Sequence, residues 1–477
     1  MNEARTGLLA MLFLLACASP PAMATQEGTG GLTSLTDSAL PPIKQVSPDI
    51  QAWTTEAGSS VMFVQAPELP MIDLRLRFTV GSASDGETSG LAALTLGMLE
   101  KGTQGASAEQ IAEQLDDMGA QLSTTTRLVH STLAVRSLSR PRERDTVVNL
   151  ISAMLGRPAM VESELETLKT HWQDILQGRA THPVFQLRKL LFDQIFVGHP
   201  YATHYFSGTP EGIAALTTAQ LAAFHRQAFT ARNLTLSIVG DLSRQEAEAL
   251  AQQISQTLPE GAPLPPLPAV AVSEPEIIHL ERPGAGNWVG LAVPLAINAR
   301  DPDYLALTVV EQMLGSSQPS RFHQALREQR GLSYRPSAGL IMLEDNGLWL
   351  MEWDIDARFA DASQDLVQQL LADFVAQGPT QAELDLAVEQ VANQYLQAVS
   401  SNRAMADTLM RMGQDKLPSN YLATYLDRMR ALTPEGVRDA LQRHFDLDRT
   451  VLASVGPTVE QQPLPGPDGS GADLQFR

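Results

Sequence analysis

Between Ile72 and Val80 the chain alternates strictly. Ile72, Leu74, Leu76, Phe78 and Val80 are apolar, and Asp73, Arg75, Arg77 and Thr79 between them are polar. A period of two predicts a strand with one face in the core and one in solvent. Ser107 and Gln110 then form a capping-box pattern. It opens a helix with Ile111, Leu115 and Met118 on one face, closed by Gly119. Further on, Asn346-Gly347 stands between the segments 340–343 and 348–353, a dipeptide suited to a hairpin turn. Thr380 and Glu383 make another capping box, ahead of Leu384, Val388, Val391 and Tyr395 at helical spacing. Hairpins imply antiparallel pairing, and long helices accompany them, so the pattern predicts an α+β fold with helices covering mostly antiparallel sheets.

The pattern repeats. Residues 216–240 align without a gap to residues 432–456, each reading as helix, short turn, strand and glycine. Phe229 matches Phe445 and Leu236 matches Leu452 at one constant offset. The proline-rich stretch 258–275 cannot lie inside a helix or a central strand and reads as an extended linker. These features predict two tandem homologous domains, 46–257 and 276–460, with a flexible leader at 25–45 and a tail at 461–477.

Composition narrows the partners. Hydrophobic residues make up 44% of the 477 and charged residues 18%, a globular balance. Acids outnumber bases 54 to 34, a net charge of -20, which argues against nucleic acid or an anionic membrane surface as a main partner. One cysteine excludes an intrachain disulfide and a cysteine-built zinc site. The apolar run 7–16 has the length of a signal-peptide core and is too short to span a bilayer. Two endings compete. Ala22-Met23-Ala24 is a small-x-small cleavage site that leaves Thr25 first, giving a signal peptide over 1–24. Leu14-Leu15-Ala16-Cys17 resembles a bacterial lipoprotein box, which would lipidate Cys17 and attach the chain to a membrane. Either ending predicts export, to a bacterial periplasm.

The stretch 90–103 ends in Lys101-Gly102-Thr103 and follows the strand and loop described above. It resembles the zinc-binding segment of the insulinase/pitrilysin-like metallopeptidases. There a helix carries H-x-x-E-H, with two histidines binding zinc and the glutamate activating water. Anchored on Met98 and Lys101-Gly102-Thr103, the resemblance puts the first histidine at Ala93, the glutamate at Leu96 and the second histidine at Gly97. None of the three can ligate zinc or take a proton. The family's third ligand, a later glutamate, falls on Asp174, and one carboxylate does not make a zinc site. His199 and His204 lie in a loop-like segment and read as structural. No Gly-x-Ser-x-Gly elbow and no Walker loop is present.

A second segment, 316–339, contains Arg327-Glu328-Gln329-Arg330-Gly331-Leu332-Ser333-Tyr334. It is similar to the C-terminal signature of the same family, in which an arginine and a tyrosine seven apart reach the metal site of the other half or of a partner subunit. By that resemblance Arg327 and Tyr334 bind substrate and stabilise the transition state. A guanidinium can hold peptide carbonyls, and a phenol can donate to an oxyanion. Arg321 is a further candidate for the same cleft, and Arg330 is expected at the helix end.

The resemblance spans about 46 to 456. It implies a zinc-free subunit of a periplasmic heterodimeric metallopeptidase, inactive alone. Zinc would reside in a zinc-bearing paralogous partner, this chain would carry no cofactor, and the substrate would be a peptide or unfolded protein added to a sheet edge. The alternative is a catalytically silent peptide-binding or assembly scaffold.

Overall fold

The computed structural model describes residues 45–205, 207–271 and 274–467; the stretch predicted to be a signal peptide, Cys17, and most of the predicted leader lie outside them. Two sheets organise the rest. The first contains β1 (Gln51–Thr54), β2 (Ser60–Gln65), β3 (Met71–Phe78), β6 (Gln121–Thr126), β7 (Ser131–Leu138) and β8 (Leu234–Gly240) in the order β1-β2-β8-β3-β7-β6. β4 (Gly102–Thr103) and β5 (Ala106–Ser107) form a small separate ladder. The second sheet contains β9 (Glu276–Glu281), β10 (Gly286–Leu295), β11 (Ser337–Leu343), β12 (Asn346–Asp356) and β13 (Val451–Gly456) in the order β11-β12-β10-β13-β9.

The two sheets share one plan. β8 pairs parallel with β2 and antiparallel with β3, and β13 pairs parallel with β9 and antiparallel with β10. The aligned segments fold alike: Thr217 caps the helix Thr218–Ala228 ahead of β8, and Thr433 caps the helix Pro434–His444 ahead of β13.

Helices cover one face of each sheet from within the same half. Val147, Ile151, Leu250 and Ile254 pack on Ile72, Leu74, Leu76 and Phe78. Leu371, Phe374, Val437 and Leu441 pack on Val289, Leu291, Trp349 and Trp353. The other face is covered by a helix from the opposite half. The helix Asn402–Gln414 lies on β8, β3 and β2, and the helix Pro183–Ile195 lies on β13 and β10. Glycines permit the close approach. A Cβ at Gly290 would stand 2.9 Å from Leu191 Cδ1, and one at Gly413 would stand 2.6 Å from Thr235 Cγ2.

This exchange corrects the reading of β3 as half-buried. Asp73 is 0% and Arg75 5% exposed, because the helix from the second half covers the polar face. Asp73 and Arg75 are paired with opposite charges there, and Arg77 meets an imidazole. Arg136 grips Asp73 at 2.8 Å, Arg75 stands 3.6 Å from Asp73 and also pairs with Asp407, and Arg77 bonds the His130 ring.

The hairpin forms as expected, but its turn is elsewhere. Leu343 pairs with Asn346, so Glu344-Asp345 is the turn, with Glu344 at φ +54 and Asp345 held by Asn298 at 3.0 Å. Gly347 sits inside β12, where a Cβ would come 2.7 Å from the Ile341 carbonyl oxygen. The glycine serves strand approach, not the turn.

Candidate functional site

The helix Leu91–Met98 carries the three altered positions. Its start is held by Asp85, whose carboxylate accepts the N–H groups of Gly90 at 2.6 Å and Ala92 at 2.8 Å. Burial pushes the Asp85 carboxyl up to about 7, against the backbone bonds that pull it down. The sequence reading missed Asp85, which stands six residues before the helix, whereas the N-cap position itself is Gly90.

Ala93 and Leu96 are each 2% exposed. Ala93 packs with Leu94, Met98, Leu165 and Leu168, while Leu96 faces the main core of the first half. At Gly97 a Cβ would lie 2.8 Å from Leu168 Cδ2, so that leucine occupies the space a longer side chain would need. Asp174, on the helix Glu162–Thr181, is exposed to solvent. The residues at the positions that the resemblance assigns to the ligands are therefore apolar, tightly packed or turned outward, and their side chains do not fit a zinc ion. Lys101 leads into β4, Gly102–Thr103, and Thr103 Oγ1 accepts the Ala106 N–H at 3.0 Å across the turn that joins β4 to β5.

The histidines elsewhere are structural. His199 Nε2 meets the Pro268 carbonyl at 3.0 Å and its Nδ1 accepts from Tyr201, which pins the linker to the first half. His204 Nε2 meets the Gly86 carbonyl at 3.0 Å. Burial lowers the pKa of both rings. Among the described residues one group has the spacing of a metal site, Asp301, Asp303 and His444, which their distance in the chain concealed from the sequence reading. Its charge is already met. Arg443 bonds both Asp303 oxygens at 2.8 Å, and His444 Nε2 adds a contact at 3.0 Å.

Arg327 lies on a π-helical turn, Gln324–Glu328. Such turns widen a helix and re-aim its side chains, and they recur at functional sites. Gly331 ends the segment at φ +63, and the Leu332 N–H returns to the Leu326 carbonyl at 2.8 Å. Tyr334 follows in the loop before β11, not at the start of the strand. One carboxylate fixes that loop: Asp354 of β12 accepts from Ser333 Oγ at 2.7 Å and from the Arg335 N–H at 3.2 Å. Between these anchors Tyr334 projects outward, 66% exposed. The Arg327 guanidinium stands 4.6 Å from the Tyr334 ring centroid, a cation–π contact. Beneath it, Arg327 Nη1 lies 3.2 Å from Nε2 of His323, a buried ring one helical turn earlier. The i, i+4 spacing of His323 and Arg327 was the available signal for that support.

The two other arginines are accounted for. Arg330 bonds the Ala325 carbonyl at 2.9 Å, at the helix end as expected. Arg321 is engaged within its own half. It pairs with Glu383 at 2.7 Å and lies over the Phe374 ring. That bond holds the Glu383 carboxyl down at about 2.

Together these features describe a duplicated α+β chain in which Ala93, Leu96 and Gly97 are packed in the core and Tyr334 stands exposed beside a half-buried Arg327. The duplicated fold matches known proteins. Residues 60–205 match the insulinase family (peptidase family M16), and residues 215–391 match the peptidase M16 inactive domain. The chain belongs to the M16 family. A crystal structure of a peptidase M16 inactive domain from Pseudomonas fluorescens is 34% identical, with a TM-score of 0.84, covering 87% of this chain and 100% of its own. An uncharacterised zinc protease of Mycobacterium leprae is 25% identical over 86% of this chain and 93% of its own length. The non-peptidase homolog YmxG of Helicobacter pylori is 22% identical over 84% of this chain and 92% of its own length.

Proposed function

We propose that this chain is the zinc-free subunit of an exported, periplasmic, heterodimeric M16 metallopeptidase. A paralogous partner would supply zinc, water and the general base. This chain would supply Arg327 to hold a peptide carbonyl and Tyr334 to donate to the oxyanion formed when water attacks. One observation carries the reading. Ala93, Leu96 and Gly97 are packed among apolar side chains, while Tyr334 stands open to solvent against Arg327 on a loop tied at both sides to Asp354.

An exposed stacked pair suits action across a subunit interface. Among the described residues no hydrogen bond engages the Tyr334 hydroxyl, so the phenol is available to a second molecule. A silent scaffold would have no chemical use for it. The peptide itself would add as a strand to the free edge of β6, the terminal strand of the first sheet.

The test is co-purification from the native periplasm followed by metal analysis. Recovery with an exported H-x-x-E-H paralogue, at one zinc per pair, supports the reading. Recovery of the chain alone, or with one zinc of its own, opposes it.

A further inference from the structure

Beside β6, where the halves meet, a cavity of about 180 Å³ is lined by Asp73, Arg75, Gln121, Ser123, Arg136 and Arg403, among others. The polar lining comes from two directions. Gln121 and Ser123 of β6 share a sheet face with Arg136, since Gln121 pairs across the ladder with Arg136 and Ser123 with Ala134. Arg403 reaches in from the helix Asn402–Gln414 of the second half, and its Nη2 donates to Gln121 Oε1 at 3.0 Å.

The charges do not cancel. Asp73 is shared by Arg75 and Arg136, and Arg75 is also paired with Asp407. Three guanidiniums thus face two carboxylates, which leaves one positive charge in a chain whose net charge is -20. Among the described residues Arg403 pairs with no carboxylate. It is the second residue of its helix, where the helix dipole already concentrates positive potential and where acidic residues are favoured. A cation in that place disfavours the free helix and favours a bound anion.

The cavity borders the free edge of the sheet. A peptide paired with β6 would direct alternate side chains toward the face that Gln121, Ser123 and Arg136 share. We propose that this cavity binds a carboxylate of that peptide, an Asp or Glu side chain or the chain's own terminus, through the Arg403 guanidinium. The inference rests on the reading of β6 as the peptide-binding edge and adds the substrate's charge class to it.

The experiment uses the mature chain and fluorescein-labelled versions of one unstructured ten-residue peptide. Its terminus is a free acid or an amide, and a single Glu or Gln is walked through its length. Binding is measured at low salt for the native chain and for Arg403→Glu, a change at an exposed position, with thermal melting to check that the variant folds. A carboxylate in register should bind about tenfold tighter than its uncharged counterpart, and Arg403→Glu should abolish that difference. The free-acid and Glu series separate the two sources of the carboxylate. Equal binding of charged and neutral peptides, or a preference that survives Arg403→Glu, overturns the pocket and leaves the edge-binding reading standing. Binding of no peptide overturns both.

Discussion

The Arg327 guanidinium lies 4.6 Å from the centroid of the Tyr334 ring, so two side chains seven residues apart leave the surface as one stacked unit. The π-helical turn and the positive-φ Gly331 between them produce the juxtaposition, and Asp354 holds the loop that carries the tyrosine.

In the reconstituted pair of subunits, Tyr334→Phe should lower peptide turnover by about 10²–10³, the usual loss for one oxyanion donor, with little change in KM. The melting temperature should not move, because the hydroxyl group is in solvent. Steady-state kinetics beside thermal unfolding separate the two effects. Unchanged turnover would reduce Tyr334 to a surface residue.

Returning histidine to position 97 should not restore metal binding. The new side chain must displace Leu168, which a Cβ would already meet at 2.8 Å. We expect Gly97→His to cost about 1–3 kcal/mol of stability through overpacking. Denaturant unfolding reads the cost, and metal analysis at equimolar zinc should find no stoichiometric ion.

Asp73→Asn should destabilise the chain by about 3–5 kcal/mol, since it leaves Arg75 and Arg136 facing a neutral group in a buried layer. Urea unfolding checks this. A loss within a few tenths of a kcal/mol would mean that water reaches that layer freely.

Asp85 makes a prediction about pH. Its folded-state pKa is raised to about 7, above the ordinary carboxyl value near 4. Between those values the folded chain holds the proton more tightly than the unfolded chain does, so this group's contribution to stability falls as pH rises from about 4 to 7. Relative to Asp85→Asn, the native chain should lose stability across that window and run parallel above it. Unfolding free energies at pH 4, 5, 6 and 7 provide the difference curve, and a flat one would contradict the shift.

Local pattern foretold much of this molecule. Both capping boxes form, at Ser107 and at Thr380, and the aligned segments around Leu236 and Leu452 take the same place in their sheets. The polar face of β3 was misread because Asp73, Arg75 and Arg77 signal solvent to any local rule. Their covering helix lies more than 300 residues downstream. Asn346-Gly347 misled for a related reason, since the need for glycine came from a neighbouring strand and not from the turn. At the candidate site, Arg327 and Tyr334 were visible as a continuous motif. The i, i+4 spacing of His323 and Arg327 was a signal left unread, whereas the bonds of Asp85 and the meeting of Arg403 with Gln121 depend on side-chain approach that spacing alone does not reveal.

The central claim is that this chain kept the carbonyl-gripping residues of a zinc peptidase while losing the metal-holding ones. Hydrolysis of one peptide should be measured for this chain alone, for the zinc-bearing paralogue alone, and for the two mixed with native or Arg327→Ala chain. The account predicts cleavage in the native mixture, none by this chain alone, and loss of most of the mixture's gain with Arg327→Ala. Cleavage by this chain alone, or a mixture no faster than the paralogue by itself, would contradict it.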